Sequence, residues 1–451
     1  MQSSDRTISK HSIISNYIYN ISYQLLILIL PLITTPYISK ILGPDGVGMY
    51  GLTNSISQYF VLFGCVGLNL YGQKEIAYHQ NNVYERSKIF YELLFIRFCA
   101  MFFSICIFMC TVCNIEKYSI LFRIEIFELV AALIDITWFY QGLEEFKTIV
   151  IRNSIVKVSG VVCIFSFVKT PLDTPIYTTI LVMTVLLGNL SLWFYLPRYI
   201  QKLNKKALNI RKHVIPALTL FVPQIATSIY NILDKSMIGL ITGNDAEVAY
   251  YEQAQKIIKM ALAIPSAVGT VMLPRVANMY GEGNTQKIIN YIHTSMKFVC
   301  MLTFPLCFGI IGIAKDFVPW FFGIEFAKVY DNFLVISPVI IFVGISNVLG
   351  VQYLLAINRH KDYSKSVLTG TLINFIFNII LIPSLMSIGA AIASIIAEIS
   401  VTLTQIFILR KEISIKNIVL NIYKYLIGAV LMFDNFIFKL YRHKKTIGYC
   451  N

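Results

Sequence analysis

The chain has few charged residues. Asp, Glu, Lys and Arg make up 14% of its 451 residues, whereas a soluble globular protein has roughly 25%. The low charge coincides with repeated apolar runs of about 20 residues, the length at which a helix crosses a bilayer. These runs do not alternate with the period of two that is typical of membrane barrel strands. The composition therefore argues against a soluble protein and predicts an all-α integral membrane protein.

Motifs for catalysis and metal binding are also absent. The sequence contains no Gly-x-x-x-x-Gly-Lys-Ser/Thr loop for nucleotide phosphates, no nucleophile elbow and no His-Glu-x-x-His zinc motif. The six histidines form no proton-relay pattern, and nearly all of the nine cysteines lie in apolar stretches. Cys106, Cys110 and Cys113 share a helix face, but no His or second Cys pair accompanies them to form a zinc site. We therefore expect no catalytic residue, no metal site and no cofactor, and we do not expect an ATP-driven pump.

Basic residues outnumber acidic ones, 38 to 24, and give a net charge of +14. A nucleic-acid partner is not expected, because most Lys and Arg lie in short connections between apolar segments, as the positive-inside rule describes. The connections between predicted helices lie alternately on the two sides of the membrane, and those on one side carry roughly three times as many Lys and Arg residues as those on the other. The connections with fewer cations carry only Lys40, Lys117, Arg123, Lys169, Lys315 and Lys328. This asymmetry places the N-terminus in the cytoplasm, and its polar start is unlike a cleavable signal peptide.

The apolar pattern predicts twelve membrane helices. Their ranges are 12–40, 46–70, 88–113, 118–140, 148–169, 175–197, 212–242, 247–279, 288–313, 328–357, 363–383 and 387–409. The longest polar connection, 198–213, separates the first six from the last six. We therefore predict an N-terminal lobe at 1–205, a C-terminal lobe at 206–411 and a tail at 412–451. Within the tail, 418–438 is apolar enough for a further membrane helix, but a crossing would put Lys439, Arg442, Lys444 and Lys445 outside. Whether that segment spans the membrane or lies at its interface stays open.

A short internal echo supports the division into two halves. The sequence from Ile38 to Tyr50 shares five of its 13 positions with the sequence from Ile238 to Tyr250, in the same register. Both copies leave an apolar segment, pass a Gly/Asp turn at 43–46 or 243–246 and enter another apolar segment. Many transporters consist of two similar halves. The loop charges put both turns on the extracytoplasmic side, where we expect hinge or rim elements.

Charged residues at membrane depth are the candidate functional residues, since each is costly unless it is paired or hydrated. Any one of them could be structural: Arg97 could extend to the interface, and Lys235 could pair with Asp234. Together, the excess of cations favours a hydrated interior that binds an anion such as phosphate or pyrophosphate. The predicted substrate-binding residues are Arg97, Lys235, Lys256, Lys259 and Lys297. The predicted coupling or charge-pairing residues are Asp135, Asp234, Glu252 and Glu398.

Several stretches resemble a known family in the right order along residues 12–410. They are Leu42–Tyr50, Gly67–Ala77, Asp135–Glu144, Leu233–Gly239, Tyr250–Lys256, Leu273–Asn278, and Asn374–Asn378 leading to Gly389–Ala393. The chain resembles the Wzx-type polysaccharide flippases (O-antigen or capsule repeat-unit flippases) of the multidrug/oligosaccharidyl-lipid/polysaccharide exporter superfamily. The family has no short catalytic motif, so its functional residues carry over poorly. Lys256 belongs to a matching stretch, whereas Arg97 fits only the general cationic character.

The resemblance implies a MATE-like fold with two six-helix lobes around a central cavity. It implies a multi-pass protein of the bacterial plasma membrane that flips undecaprenyl-pyrophosphate-linked oligosaccharide repeat units by alternating access. The implied partners are this lipid-linked oligosaccharide and membrane lipids, and pairing with a polysaccharide polymerase or other pathway proteins stays open. With no nucleotide site, an ion gradient, the membrane potential or downstream consumption would drive transport.

Two other functions remain to be weighed. A cation-coupled multidrug exporter of the same superfamily would need an acidic or apolar site for cationic drugs, and the excess of buried cations disfavours it. A membrane glycosyl transferase or polymerase would need a large outer loop or paired carboxylates, and the outer loops here are short. The flippase is therefore preferred over both alternatives. We predict that the protein is a flippase without enzymatic activity.

Overall fold

A computed structural model describes residues 10–203, 208–413 and 423–433, and the regular elements within these ranges are helices. The all-α prediction is confirmed. The helices used below are α1 (Lys10–Cys65), α2 (Leu68–Tyr78), α3 (Val83–Thr111), α4 (Ser119–Leu133), α5 (Thr137–Gly142), α6 (Phe146–Phe167), α7 (Thr174–Trp193), α8 (Arg211–Thr242), α9 (Asp245–Gly281), α10 (Thr285–Phe322), α11 (Val329–Ile336), α12 (Val339–Ser346) and α13 (His360–Leu409). A π-helical segment, Asn347–Leu355, follows α12. Eight helices of the described residues are long and apolar enough to cross a membrane.

Two of these helices contain a backbone break. In α1 the break is at Gly43, with φ 67° and ψ 179°, a left-handed conformation that favours glycine because it has no Cβ. In α13 the break is at Met386, with φ 53° and ψ −127°. Both breaks fall where the sequence predicts a turn between two membrane helices. When each broken helix is counted as two, the eight become ten, and α4 and α8, which lie in the predicted ranges 118–140 and 212–242, bring the described helices to the predicted count of about twelve.

Three predicted helices are more interrupted than expected. The range predicted as 46–70 breaks after Cys65, where Val66 and Gly67 have positive φ. The range predicted as 118–140 becomes α4 and α5, and the range predicted as 328–357 becomes α11, α12 and the π-helical segment. Pro338 precedes α12 and lacks the N–H that would continue α11. Hydropathy does not show such breaks, because the residues on both sides are equally apolar.

The C-terminal tail is described only in part. A short apolar helix covers Tyr423–Phe433. The rest of the predicted segment 418–438 and the basic residues Lys439, Arg442, Lys444 and Lys445 lie outside the described residues. The choice between a spanning and an interfacial segment therefore stays a prediction.

The chain divides into two compact units, Met1–Ser228 and Ile229–Asn451, with the division inside α8. In the N-terminal unit, the aromatic rings of Phe90, Trp138 and Phe139 form the centre of one core, and Phe90 stacks on Trp138 at 5.8 Å. In the C-terminal unit, α10 packs its buried face against the π-helical segment. Large apolar side chains such as Phe103 on α3 remain exposed. This exposure fits a protein whose outer surface contacts lipid.

Candidate functional site

A cluster of charged side chains lies on α8 and α9 in the C-terminal unit. The Nζ atom of Lys235 is 3.9 Å from Oε2 of Glu252, and the Nζ atom of Lys256 is 3.7 Å from Oε1 of the same residue. Glu252 and Lys256 are four residues apart on α9, so they share one helix face. Lys259 follows one turn later and is exposed. We refer to Lys235, Glu252, Lys256 and Lys259 as the lysine cluster.

The lysine cluster has an excess of positive charge, because three lysines accompany one glutamate. Glu252 is largely buried, whereas the Lys256 side chain is 32% exposed. No hydrogen bond or ion pair of the described residues engages Lys259. A lysine is stable within a membrane-spanning helix only where water or an ion reaches its amine. The cluster therefore offers ammonium groups to an oxyanion such as a diphosphate.

Asp234 points away from this cluster into the interior of the C-terminal unit. Its side chain is only 3% exposed. Its Oδ2 accepts hydrogen bonds from the Tyr251 hydroxyl and from Ser394 Oγ, the latter at 2.8 Å, and its Oδ1 accepts from Asn378 Nδ2 at 2.7 Å. Asn378 Nδ2 also donates to Asn374 Oδ1 at 3.1 Å. We refer to these five residues, on α8, α9 and both halves of α13, as the Asp234 cluster.

The partners of Asp234 are hydroxyl and amide groups, so a buried carboxylate is stabilised by neutral donors. In the described part of the chain, Asp234 and Lys235 do not pair with each other. Consecutive helical residues differ by about 100° in direction, so one side chain enters the core while the next reaches the lysine cluster. The interpretation of these two residues as a local ion pair is therefore wrong.

Glu398 is a second buried carboxylate of the C-terminal unit. It is 9% exposed, and its Oε1 accepts a hydrogen bond from the Tyr230 hydroxyl at 2.6 Å. It lies on α13, four residues after Ser394 of the Asp234 cluster, and therefore on the same helix face. The structure thus brings together two of the four acidic residues that the sequence singles out for coupling.

Arg97 and Asp135 meet in the N-terminal unit. Arg97, on α3, is 1% exposed and donates hydrogen bonds to the Asp135 carbonyl and to Asn69 Oδ1. The Asp135 carboxylate instead accepts from the backbone N–H of Thr137, the first residue of α5, at 2.9 Å. Arg97 therefore joins α3 to α2 and to the α4–α5 turn. It does not extend to the membrane interface, and its role in substrate binding stays a prediction.

Lys297 stands apart from the other predicted cations of its unit. It is exposed on α10, one turn after His293, and no described hydrogen bond or ion pair engages it. The structure does not bring it into the lysine cluster. Its assignment to substrate binding also stays a prediction.

The sequence interpretation missed a buried cluster around Glu92. This α3 residue is 0% exposed; its carboxylate accepts from the Asn209 backbone N–H at 2.6 Å, lies 3.2 Å from Lys212 Nζ and contacts His213 Nε2 at 2.7 Å. The other ring nitrogen, His213 Nδ1, is 2.8 Å from the Tyr71 hydroxyl. A neutral imidazole satisfies both contacts, with Nε2–H donating to Glu92 and Nδ1 accepting from Tyr71. Glu92 could have been found as a charge inside the predicted helix 88–113.

Metal binding has no support from clustered ligands. Across residues 10–203, 208–413 and 423–433, no three His, Cys, Asp and Glu side chains converge in a way that could hold a metal ion. The four other residues of the Asp234 cluster also bond one another, Tyr251 with Ser394 and Asn378 with Asn374. The arrangement is suited to holding one charge in the interior of the unit rather than to chemistry on a covalent bond.

Comparison with known proteins identifies the family of the chain. The sequence pattern of the family described as "Polysaccharide biosynthesis protein" matches residues 13–280, and the MatE pattern matches residues 219–383. A protein of Escherichia coli (strain K12) named "Putative O-antigen transporter" is 24% identical over 419 residues, which cover 90% of this chain and 98% of that protein. "Probable low-salt glycan biosynthesis flippase Agl15" of Haloferax volcanii is 25% identical over 195 residues, 43% of this chain and 41% of that protein.

The fold is also similar to a solved structure. The lipid II flippase MurJ in its inward closed conformation superposes with a TM-score of 0.74 at 16% sequence identity, over 94% of this chain and 93% of that one. At this identity the likeness concerns the fold alone. The family match covers more than half of the chain and includes α8 and most of α9 with the lysine cluster. The chain therefore belongs to the polysaccharide biosynthesis protein family.

Proposed function

We propose that the protein is a flippase that moves undecaprenyl-pyrophosphate-linked oligosaccharide repeat units across the membrane for cell-surface polysaccharide synthesis. The observation that carries the proposal is the lysine cluster, a group of partly exposed cations with one carboxylate, three of whose four residues lie on α9, a helix long and apolar enough to cross a membrane. Two relatives are named as an O-antigen transporter and a glycan biosynthesis flippase. Because these relatives are named for transport and not for catalysis, they favour a transporter over an enzyme.

The lysines supply what the cargo lacks in hydrocarbon. A diphosphate and its sugars would lose their hydrogen bonds to water in the bilayer, at a cost of several kcal/mol for each unpaired polar group. Charge-assisted hydrogen bonds from Lys235, Lys256 and Lys259 replace part of that hydration. The polyprenyl chain stays in lipid, where it needs no protein partner. We propose that Arg97 and Lys297 contribute to the same positive environment at other stages of transport.

Alternating access would expose the lysine cluster to each side of the membrane in turn. In this mechanism the predicted lobes, 1–205 and 206–411, move relative to each other around a central cavity. The direction is from the cytoplasmic to the outer leaflet of a bacterial plasma membrane, with the N-terminus in the cytoplasm. A polysaccharide polymerase and other proteins of the same pathway are the proposed partners, since they would consume the exported repeat unit.

Asp234 and Glu398 are the proposed coupling residues. Both are buried acids with neutral partners, so a proton or a cation drawn from an ion gradient would change the net charge of the interior. Such a change would favour one lobe arrangement over another. Asp135 and Glu252 act instead through charge pairing and turn geometry. The membrane potential would add about 2.3 kcal/mol per charge per 100 mV.

The proposal is tested by transport in vesicles. The purified protein is reconstituted with a fluorescent undecaprenyl-pyrophosphate disaccharide, and a membrane-impermeant quencher reports which leaflet carries the headgroup. Replacing Lys256 and Lys259 together by Gln should lower the flipping rate at least tenfold, because two charge-assisted contacts are lost. Lys287→Gln, on the exposed start of α10, is the matched control and should transport normally. Unchanged flipping by the double variant would contradict the proposed role of the cluster.

A cation-coupled multidrug exporter is the alternative. The observation in its favour is the MatE match at 219–383, together with the buried carboxylates of Asp234 and Glu398. Against it, the more exposed charges of the lysine cluster are lysines, which repel cationic drugs. Protection of cells from cationic dyes, unaffected by loss of the lysines, would support the exporter over the flippase.

A further inference from the structure

A cavity of about 480 Å³ lies inside the N-terminal unit. Its wall is made by both halves of α1 and by α4, α6 and α7. Sites for small molecules commonly have volumes of about 300–1,000 Å³. Along α6 the wall extends from Arg152 to Ile164, which corresponds to roughly 18 Å of helix. The cavity is therefore an elongated chamber long enough for more than one chemical group of a ligand.

Lys157 brings an available positive charge to this chamber. It lies on α6 within the segment long and apolar enough to cross the membrane, and its side chain is exposed at the wall. No hydrogen bond or ion pair within the described part of the chain engages its amine. A lysine at this depth is stable where its amine is hydrated. Lys157 therefore offers the chamber a cation that a ligand can reach.

Glu128 is the acidic residue of the wall, and amide groups hold it. Its Oε2 accepts a hydrogen bond from Asn54 Nδ2 at 2.9 Å, and its Oε1 accepts from Gln58 Nε2 at 2.5 Å. Both oxygens thus have neutral partners on α1. Because Glu128 does not pair with Lys157, this carboxylate does not cancel the positive charge of Lys157 at the wall.

Arg152 is held in a defined place. Its NH1 donates to Asn189 Oδ1 at 3.4 Å, and Asn189 Nδ2 donates in turn to the Ala131 carbonyl at 2.8 Å. The second bond orients the amide so that its oxygen faces the arginine. A Cβ on Gly188 would lie 3.0 Å from Arg152 NH1, so the guanidinium packs closely against α7 at this glycine. Side chains of α6 and α7 and a backbone carbonyl of α4 therefore combine to place this charge.

Two threonines supply hydrogen-bond acceptors to the same chamber. Thr34 Oγ1 donates to the Leu30 carbonyl at 3.1 Å, and Thr184 Oγ1 donates to the Ile180 carbonyl at 2.5 Å. A hydroxyl that has used its hydrogen still has lone pairs to accept with. Both oxygens are therefore suited to ligands with hydroxyl donors. Cations beside hydroxyl acceptors match an oxyanion attached to a sugar.

We propose that this chamber is a second cargo site, which binds an oxyanion together with the neighbouring sugar hydroxyls. The inference rests on the proposed flippase function and adds a site in the N-terminal unit to the lysine cluster. The oxyanion has two possible sources in such a cargo: the diphosphate of the carrier or the carboxylate of an acidic sugar. Lys157 and Arg152 bind the oxyanion, and Thr34 and Thr184 accept hydrogen bonds from the sugar.

The test uses two synthetic polyprenyl-diphosphate disaccharides, one of glucose only and one containing glucuronate. Binding to the purified full-length protein is measured as the concentration-dependent rise of its Tm, and flipping is measured in vesicles. Lys157→Met should weaken binding about ten- to a hundredfold, because one charge-assisted contact is lost. Lys157→Arg should restore most of the binding. Ile155→Met, on the exposed face of α6, is the control for altered packing.

The outcomes separate this inference from the proposed function. Loss of affinity for both probes in Lys157→Met supports the chamber with the diphosphate as the bound group, and loss for the glucuronate probe alone supports it with the sugar carboxylate. Wild-type binding and flipping of both probes, with no change in Lys157→Met, would overturn the chamber and leave the flippase intact. A wild-type protein that binds and flips neither probe would overturn the flippase function and the chamber with it. Arg152→Met serves as a second variant if its unliganded Tm matches the wild type.

Discussion

Glu92 and Asp234 are both buried carboxylates that hold α8, but the charges of their partners differ. The carboxylate of Glu92, in the N-terminal unit, forms an ion pair with Lys212 and a hydrogen bond with His213 at the start of α8. Asp234, on the half of α8 in the C-terminal unit, receives only hydroxyl and amide donors from the residues described. A carboxylate beside a lysine is already neutralised. One beside neutral groups keeps its charge, at a cost that the hydrogen bonds offset only in part.

The difference separates an anchoring role from a responsive one. Around Glu92, ion pairing and a backbone N–H hold the start of α8 to α3, so any change of charge there acts against stability. Around Asp234, the hydroxyl and amide donors satisfy the carboxylate, but no cation among the described residues pairs with it. This contrast is the physical basis for the proposal that Asp234 acts in coupling and Glu92 in structure.

The largest effect is expected from Glu92→Ala. The variant leaves the Nε2–H of buried His213 without its acceptor and removes the ion pair with Lys212, and a buried donor left unsatisfied costs about 1–3 kcal/mol of unfolding free energy. Denaturant unfolding of the purified protein measures this cost. Glu85→Ala, at the exposed start of the same helix, is the control and should change stability little. If the Glu92→Ala variant were as stable as the wild type, this result would contradict the anchoring role of Glu92.

Asp234→Asn should separate transport from stability. Asparagine has nearly the same shape and keeps most of the hydrogen bonds, so we expect stability to change by no more than about 1 kcal/mol. The flipping rate should fall roughly thirtyfold, about 2 kcal/mol, because a neutral side chain cannot respond to the driving ion. Vesicle transport with and without an imposed ion gradient measures both parts. Gradient-stimulated flipping at the wild-type rate would argue against coupling at this residue.

Tyr251→Phe should have a smaller effect that tests the neutral donors themselves. It removes one hydroxyl from Asp234 while Ser394 and Asn378 remain, and hydrogen bonds to charged groups contribute about 1.5 kcal/mol or more. We expect a loss of stability near that value, reduced when Asp234→Asn is already present. Tyr250→Phe, the neighbouring residue on α9, is the matched control. Additive effects in the double variant would show that the hydroxyl does not act through the carboxylate.

The smallest effect is expected from an exposed ion-pair network in the C-terminal unit. Arg359 NH1 donates to Glu412 Oε1 at 2.6 Å, and Arg359 Nε donates to Asp362 Oδ2 at 2.6 Å. Partial burial lowers the pKa of Arg359, but its hydrogen bonds to these two carboxylates raise the pKa by more than burial lowers it. The pKa of Arg359 is therefore above its ordinary value. Arg359→Gln should cost less than about 1 kcal/mol, because exposed pairs are screened by water and salt. A loss of stability as large as that of Glu92→Ala would show that solvent exposure does not predict how much such ion pairs contribute to stability.

The fold was predictable where local chemistry decides it. Apolar runs indicate the membrane helices, and Gly43 with its neighbouring proline and aspartate indicates the first turn. The end of α4 was not predictable in this way. The carbonyl of Asp135 leaves the helix and is satisfied by Arg97, a residue 38 positions earlier in the chain. Such a partner is invisible to a local pattern, so the predicted helix continued across the break.

The candidate site shows the same division. The spacing of Glu252 and Lys256 places them on one helix face, and their contact at 3.7 Å follows from the sequence alone. The chamber in the N-terminal unit could not be foreseen, because Arg152 looks like a loop cation at the edge of an apolar run. It becomes part of a wall only when α6 and α7 pack closely and Asn189 faces it.

The sequence by itself determined that the protein crosses the membrane, where its principal turns lie and that its charges at membrane depth are mostly cations. The tertiary structure decided which of those charges are enclosed and which are open. Asp234 binds partners 17, 144 and 160 positions away along the chain, whereas Lys235 beside it joins the lysine cluster. Adjacent residues of a helix face different surroundings, and only the packing of distant segments determines what those surroundings are.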